Sequence, residues 1–445
     1  RLATFAPGAD EHPYFFSGRL IRPRRAADLL RGLMSVVQAR YHLPATMLSR
    51  MLAAADPVVT CSDDRLRFEG FSGCCGAYVR VDLLPPSVDG ESFGRGTTNV
   101  DFNAPMLAAL ATIRDRERVR LDVGSAEVRL SRGDQPVVEK KVDLPMRWLR
   151  GFVEVQACQS RMMRMHVLRG VEAHRFLRSL PRMKTNRRET YLVAAGAGVR
   201  LSQVAAESAV RVGGLERLRV LEGLAAQADE LRIYGDAVTG ASAWELCFDD
   251  CRFHLVVSPE VWRGFSGEGQ ALSALAAADR DRLLPLVRAR LKWQSVIAES
   301  EWSSDGADRQ AVRGALAALG TQGLVGFDLA EQAWFHRELP FSLARLERSH
   351  PRLRAARRLV DERCVECGVA QGDESAGGET SGGETSGGET SGGERVYYVR
   401  SGGVEHRVRL AGESFQCTCP WFARHGSGRG PCKHVLAALL VVDGE

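Results

Sequence analysis

The stretch FQCTCPWFARHGSGRGPCKHVLAALL, residues 415–440, sets two cysteines one residue apart, then a glycine-rich segment, then Cys-x-His. No other part of the chain restricts its fold so tightly. In an extended strand alternate side chains project to one face, so Cys417 and Cys419 can aim both sulfurs at one point while Thr418 faces away. Pro420 has no N–H for a sheet ladder, so the strand is expected to stop there. Gly426, Gly428, Gly430 and Pro431 supply the turn that brings back Cys432 and His434, and HVLAALLVV reads as a short apolar helix.

Three thiolates and one imidazole make a closed Cys3His set, suited to tetrahedral zinc. Soft sulfur ligands and the lack of carboxylate neighbours disfavour magnesium, calcium and manganese. Cys417, Cys419, Cys432 and His434 leave no open position for water, so one structural Zn2+ is expected rather than a catalytic one. His406 and His425 are rival nitrogen donors, but the first lies on a hairpin and the second in the loop, which favours His434. A module of this size has little core, and structural zinc contributes about 10 to 16 kcal/mol of apparent binding free energy, so the module is expected to unfold without metal.

At these residues the sequence closely resembles the SWIM zinc finger, whose pattern is Cys-x-Cys, a variable loop, then Cys-x-His. RVYYVRSGGVEHRVRL (395–410) matches the hairpin that precedes the first pair, Pro420, Trp421 and Phe422 continue the Cys-Pro-Trp-Phe run, and CKHVLAALL matches the helix. Upstream, FSGCCGAYVRVDLLP, GRGTTNVDFN, SPEVWRGFSGEGQAL and GLVGFDLAEQAWFHRELPF are similar to segments of larger bacterial proteins that end in such a finger. The resemblance implies zinc binding, contact with DNA or with proteins, and in some members association with MoxR-class AAA ATPases and von Willebrand A proteins. It brings no catalytic residues.

Residues 371–394, QGDESAGGETSGGETSGGETSGGE, repeat a Gly-Gly-Glu-Thr-Ser unit with no apolar side chain beyond alanine, so nothing there offsets the entropy of ordering. They read as a flexible acidic linker. With 445 residues, the chain is too long for one core. The expected fold class is α+β and multidomain: a mixed helix and antiparallel-strand region over 1–265, a helical region over 266–370, the linker at 371–394, and a small zinc-binding ββα module over 395–445.

Within the first region, 25–40 and 105–118 carry apolar positions at helical spacing, and 119–143 holds three short alternating runs that predict a small antiparallel meander. Helix is expected over 146–180, then strands at ELRIYG, SAWELCF and RFHLVV. In the second region Ala311, Val312, Ala315, Leu316 and Leu319 share one helical face, and LVGFDL and AWFHREL follow as a hairpin. Helix, helix, hairpin is the order of a winged-helix unit; a packing subdomain gives the same order.

A net charge of +5 is far from the clustered charge of a dedicated nucleic-acid binder, and the basic residues are nearly all arginine. Eleven cysteines suggest metal ligands and buried thiols rather than a disulfide framework. Cys364 and Cys367 have the spacing of a metal half-site or redox pair, or are two reduced thiols. Cys74 and Cys75, with Cys61 nearby, read as core. Neither GRGTTN nor GAGVRL completes G-x-G-x-x-G, no phosphate-loop Gly-Lys-Ser/Thr occurs, and GFSGEG misses the G-x-S-x-G elbow. No apolar run spans a bilayer, and the N-terminus lacks the order of a secretion signal.

The expectation is therefore a cytoplasmic, non-enzymatic zinc protein. Its partner is expected to be a protein that meets the apolar hairpin and Trp421. The alternative is DNA, gripped by Arg407, Arg409, Arg424, Arg429, Lys433 and Arg337.

Overall fold

The computed structural model describes residues 13–42, 56–182, 189–196, 198–277, 283–302, 309–339, 350–368, 394–412 and 414–442. The chain divides into two compact units, residues 1–268 with 281–343, and residues 269–280 with 344–445. Both mix helices with antiparallel sheets, as the α+β reading expects. No helix among the described residues is long and apolar enough to cross a membrane.

In the first unit the meander forms where expected. Strands Val119–Gly124, Glu127–Arg132 and Gln135–Lys140 pair in sequence and join Tyr14–Leu20 and Val88–Ser92 in a five-stranded sheet. An eight-stranded sheet is ordered Met163–Arg169, Glu230–Gly235, Ser242–Cys247, Cys251–Val257, Ala77–Leu83, Leu66–Phe71, Val58–Cys61, Gly96–Asn99. Helix Pro23–Gln38, with proline in its first turn, buries Leu29, Leu30, Leu33, Met34, Val36 and Val37 against this sheet. The approach is close: a Cβ on Gly70 would stand 2.6 Å from Val37 Cγ2.

Two local expectations need correction. The helix expected over 105–118 spans only Ala104–Ala111, because the charged run Arg114–Arg118 offers no apolar face to continue it. The stretch 146–180 is not all helix: strand Met163–Arg169 separates helices Met146–Gln159 and Gly170–Ser179. Its partner, Glu230–Gly235, lies more than sixty residues away, and that distant pairing overrides local periodicity.

Helix Arg309–Thr321 and the hairpin Val325–Asp328/Ala333–His336 also form, inside the first unit. Every residue of both hairpin strands is buried. A cluster of charges holds them there. Asp328 binds Arg67 Nη2 at 3.0 Å and Arg80 Nη2 at 2.9 Å, while Arg80 Nη1 donates to Phe327 O at 3.1 Å. Arg337 pairs with Glu69, and the Arg67 guanidinium lies 4.0 Å from the Phe335 ring centroid. Arg67, Arg80 and Arg337 are essentially without solvent exposure. Arg337 is therefore not a free cation for a phosphate, and this hairpin does not project as an open wing.

In the second unit four antiparallel strands, Val365–Gly368, Arg395–Ser401, Val404–Ala411 and Ser414–Cys417, pair in chain order. Gly402 and Gly403, both with positive φ (62° and 77°), make the two-residue turn that a tight hairpin demands. Helices Pro351–Asp361 and Leu272–Ala277 pack against helix Lys433–Val441. Residues 371–393 of the acidic repeat lie outside the described residues. Their flanks are informative, because Val365–Gly368 pairs directly with Val396–Val399. The repeat thus leaves and re-enters between neighbouring strands of one sheet, and does not join a free finger to an upstream body.

Candidate metal centre

The last strand ends at Cys417, three residues before Pro420, so Cys419 is not a strand residue, contrary to the alternation expected from the sequence. It is instead the N-cap of the short helix Pro420–His425, and its sulfur accepts the Phe422 N–H at 3.3 Å. Cys432 repeats the device at the start of helix Lys433–Val441, accepting the Val435 N–H at 3.5 Å. Backbone donors at a helix start favour the thiolate over the thiol, the form a metal needs. Local proline and cysteine placement thus does two jobs: it starts each helix and turns a backbone N–H onto each capping sulfur.

His434 sits in the first turn of that second helix with its ring turned inward. Its Nδ1 lies 3.8 Å from Cys417 Sγ and 4.0 Å from Cys432 Sγ. The four donor atoms of Cys417, Cys419, Cys432 and His434 all fall within 4.8 Å of one another, and all four residues are buried. A zinc tetrahedron with Zn–S of about 2.3 Å and Zn–N of about 2.0 to 2.1 Å has edges of about 3.5 to 3.8 Å. Three sulfurs and a nitrogen already converge to nearly that size, so the donor set and its spacing fit one zinc ion. Hydrogen bonding from Cys417 is the largest influence on Cys432 and drives its thiol down, with His434 acting the same way; Cys417 is driven up in return. The sulfurs thus act directly on one another, where a divalent ion would replace their protons.

The rival histidines are accounted for. His425 packs on Trp421 with ring centroids 5.0 Å apart. His406 lies over His434, centroids 4.3 Å apart, and shields the ligand ring rather than replacing it.

Sequence reasoning missed what supports the loop between the two ligand pairs. Arg352, on helix Pro351–Asp361, donates from Nη1 to Arg429 O at 2.7 Å and Pro431 O at 3.0 Å, and its guanidinium covers the Trp421 ring at 4.9 Å. Gln270 Nε2 donates to Ser427 O at 3.0 Å. Gly269 leaves the space that this guanidinium occupies: a Cβ there would stand 2.2 Å from Arg352 Nη2, so the arginine would have to shift. No pattern near Arg352 or Gln270 marks either residue, since both act on carbonyl groups about 75 to 160 positions away.

The expected docking groups are placed differently from the reading above. Tyr397, Val399, Val408 and Leu410 of the hairpin are buried, and Trp421 is half covered by Arg352 and His425. Of the cations assigned to DNA, Lys433 Nζ donates to Ser401 Oγ at 2.8 Å and Arg409 pairs with Glu394 at 2.8 Å. Cys364 and Cys367 are three residues apart along an extended segment and so point to opposite faces, which separates their sulfurs; neither a dithiol nor a half-site is assembled. A second group, Asp82, His254 and Asp328, also brings donor atoms within 4.8 Å, but Arg67 and Arg80 already fill its centre.

A small treble-cysteine, single-histidine zinc finger is the class that this geometry defines. Residues 406–443 match the SWIM zinc finger family, and the chain carries a SWIM zinc finger there with Cys417, Cys419, Cys432 and His434 as its ligand cluster. Among curated proteins none matches the chain. Among solved structures, the chain is similar to proliferating cellular nuclear antigen from Entamoeba histolytica at 11% identity and a TM-score of 0.35, over 55% of this chain and 99% of that one.

Proposed function

We propose that this is a non-enzymatic interaction protein in which a structural zinc ion holds a small sheet in shape for docking to a protein partner. The observation that carries the reading is the closure of the metal site: four buried protein donors leave no place for a substrate or water, so the metal's work is to fix the fold. Register places Tyr398, Arg400, Glu405, Arg407, Arg409 and Gln416 on one face of the sheet, away from the buried hairpin residues. Arg400 and Arg409 are already paired with Glu366 and Glu394. A tyrosine among balanced charges suits a protein surface better than a phosphate backbone. The family resemblance points to a MoxR-class AAA ATPase, or its von Willebrand A companion, as the partner.

Fluorescence anisotropy tests this with two titrants, the ATPase and a generic DNA duplex, each at two salt concentrations. The ATPase is expected to bind with weak salt dependence, and Tyr398→Ala to weaken it by about tenfold or more. Tight duplex binding that falls steeply with salt and is lost in Arg407→Glu would replace this reading with the DNA one.

A further inference from the structure

Three helices of the first unit lie on one face of the eight-stranded sheet. Pro23–Gln38 packs on strands Leu66–Phe71 and Ala77–Leu83, Arg219–Ala225 on Ser242–Cys247, and Gly170–Ser179 on Glu230–Gly235 and Met163–Arg169. Register puts them on the same side. A Cβ on Gly32 of the first helix would stand 3.2 Å from Phe253 Cε2, and Phe176 of the last stacks on Trp244 with centroids 6.3 Å apart. Trp244 pairs with Leu255, two residues beyond Phe253, so both rings point to one face. Helix Arg219–Ala225 touches both of the others and lies between them.

The sides turned to solvent carry arginine. Leu30, Leu33 and Val37 face the sheet, while Arg24, Asp28, Arg31 and Ser35 recur four, three and four residues apart on the opposite side. In Gly170–Ser179, Ala173, Phe176 and Leu177 are buried, and Val171, Arg175 and Arg178 recur outward at the same spacing. Arg182 and Arg219 line one cleft between the last two helices, and Arg219 lines a second with Arg31. Three carboxylates share this face. Asp28 meets Arg24 at 3.7 Å and Arg31 at 3.4 Å, Glu222 meets Arg182 at 3.9 Å, and Glu172 lies in the first turn of its helix. Among the described residues, exposed Arg175, Arg178 and Arg219 form no ion pair. Six arginines thus stand against three carboxylates, drawn together from positions 24 to 219 by the fold alone.

What this face lacks narrows what it fits. Among the described residues Val171 is the one large apolar side chain exposed on the three helices, so a protein partner finds no aromatic or aliphatic anchor there. No Phe, Tyr or Trp is exposed on them for the bases of a single strand to stack on. Helices packed about 8 to 10 Å apart set the outer arginine rows about 16 to 20 Å apart, enough to reach both phosphate walls of a major groove about 12 Å wide. We propose that this three-helix face seats a DNA duplex, held through its phosphates without reading the bases. The site is separate from the finger surface and does not depend on what docks there.

Fluorescence anisotropy of a labelled duplex against the whole chain tests this. With about four to six phosphates engaged, affinity is expected to fall about a hundredfold to a thousandfold between 50 and 200 mM salt. Two duplexes of unrelated sequence are expected to bind alike, and a single strand more weakly. Arg175→Glu with Arg178→Glu should weaken binding by about tenfold or more and make the salt slope shallower by about two, with the thermal melt unchanged because both side chains are exposed and unpaired. Arg407→Glu, in the finger, should leave duplex binding as it is. Absence of binding at 50 mM salt, full binding by the double variant, tighter binding of a single strand or of a glutamate-rich peptide, or loss in Arg407→Glu would overturn the proposal.

Discussion

Replacing Asp328 with asparagine keeps the shape of the side chain and removes one negative charge from the centre of the first unit. Asp328 has no solvent exposure and ion-pairs with Arg67 at 3.0 Å and Arg80 at 2.9 Å, with Arg65 and Arg252 at 3.9 and 4.0 Å. After the change two buried guanidiniums share Asp82 alone, which Arg80 approaches at 2.9 Å and Arg67 at 3.7 Å. Breaking one partner out of a buried pair costs about 3 to 5 kcal/mol, chiefly because the other charge stays buried. Against a total stability of about 5 to 15 kcal/mol, that is a large fraction. Urea unfolding followed by tryptophan fluorescence reads it, since Trp334 lies on the clamped hairpin and is buried. The double change Asp328→Leu with Arg80→Met should cost less than the sum of the single changes, because it removes both charges together.

The same cluster fixes an acid limit. Burial alone would raise the Asp328 carboxyl, but Arg80 and Arg67 overrule it and hold the group well below its ordinary range. A carboxylate depressed in the folded state contributes stability that is complete above its unfolded value near 4 and is lost as pH falls toward the folded value. Stability of the wild type is therefore expected to decline below about pH 4, and Asp328→Asn should flatten that decline. If Asp328→Asn costs less than about 1 kcal/mol and leaves the acid profile unchanged, the hairpin is not held by this cluster and the reasoning fails.

Deleting residues 372–391 should leave the zinc finger folded, because Gly368 and Val396 are ladder partners; shortening the connection can add up to about 1.2 kcal/mol, and loss of the finger in thermal melts would refute the strand order. Gly403→Val forces a β-branched residue into a φ of 77° and should lower finger stability by about 1 to 2 kcal/mol in zinc-loaded thermal melts, where no change would contradict the turn geometry. Arg352→Ala should weaken zinc retention in a chelator competition by about tenfold, through loss of its bonds to Arg429 O and Pro431 O; unaltered retention would make Arg352 incidental. Mild oxidation should not bridge Cys364 to Cys367 within one chain, which peptide mapping would reveal.

The metal site was the most legible feature in the sequence, because ligand identity and spacing are local: Cys417, Cys419, Cys432 and His434 lie within eighteen residues. Even so, alternation along a strand does not account for Cys419, whose place is set by capping the helix that begins at Pro420. The meander at 119–140 was equally local, with turns and alternation in one run. What stayed hidden depends on long-range partners. Strand Met163–Arg169 exists because Glu230–Gly235 completes it, and Arg352 matters because it meets carbonyls of the glycine loop. The acidic repeat was legible as unable to pack, but composition says nothing about which strands it connects. Only the pairing of Val365–Gly368 with Val396–Val399 does so.

The central claim is that one zinc ion, bound by three sulfurs and His434, holds the second unit together. Metal analysis of protein prepared without added zinc, with far-ultraviolet circular dichroism before and after chelation, tests it most directly. The account predicts one zinc per chain, its absence in Cys432→Ser, and loss of strand and helix signal on chelation that returns with zinc. A metal-free chain with an intact spectrum would contradict it.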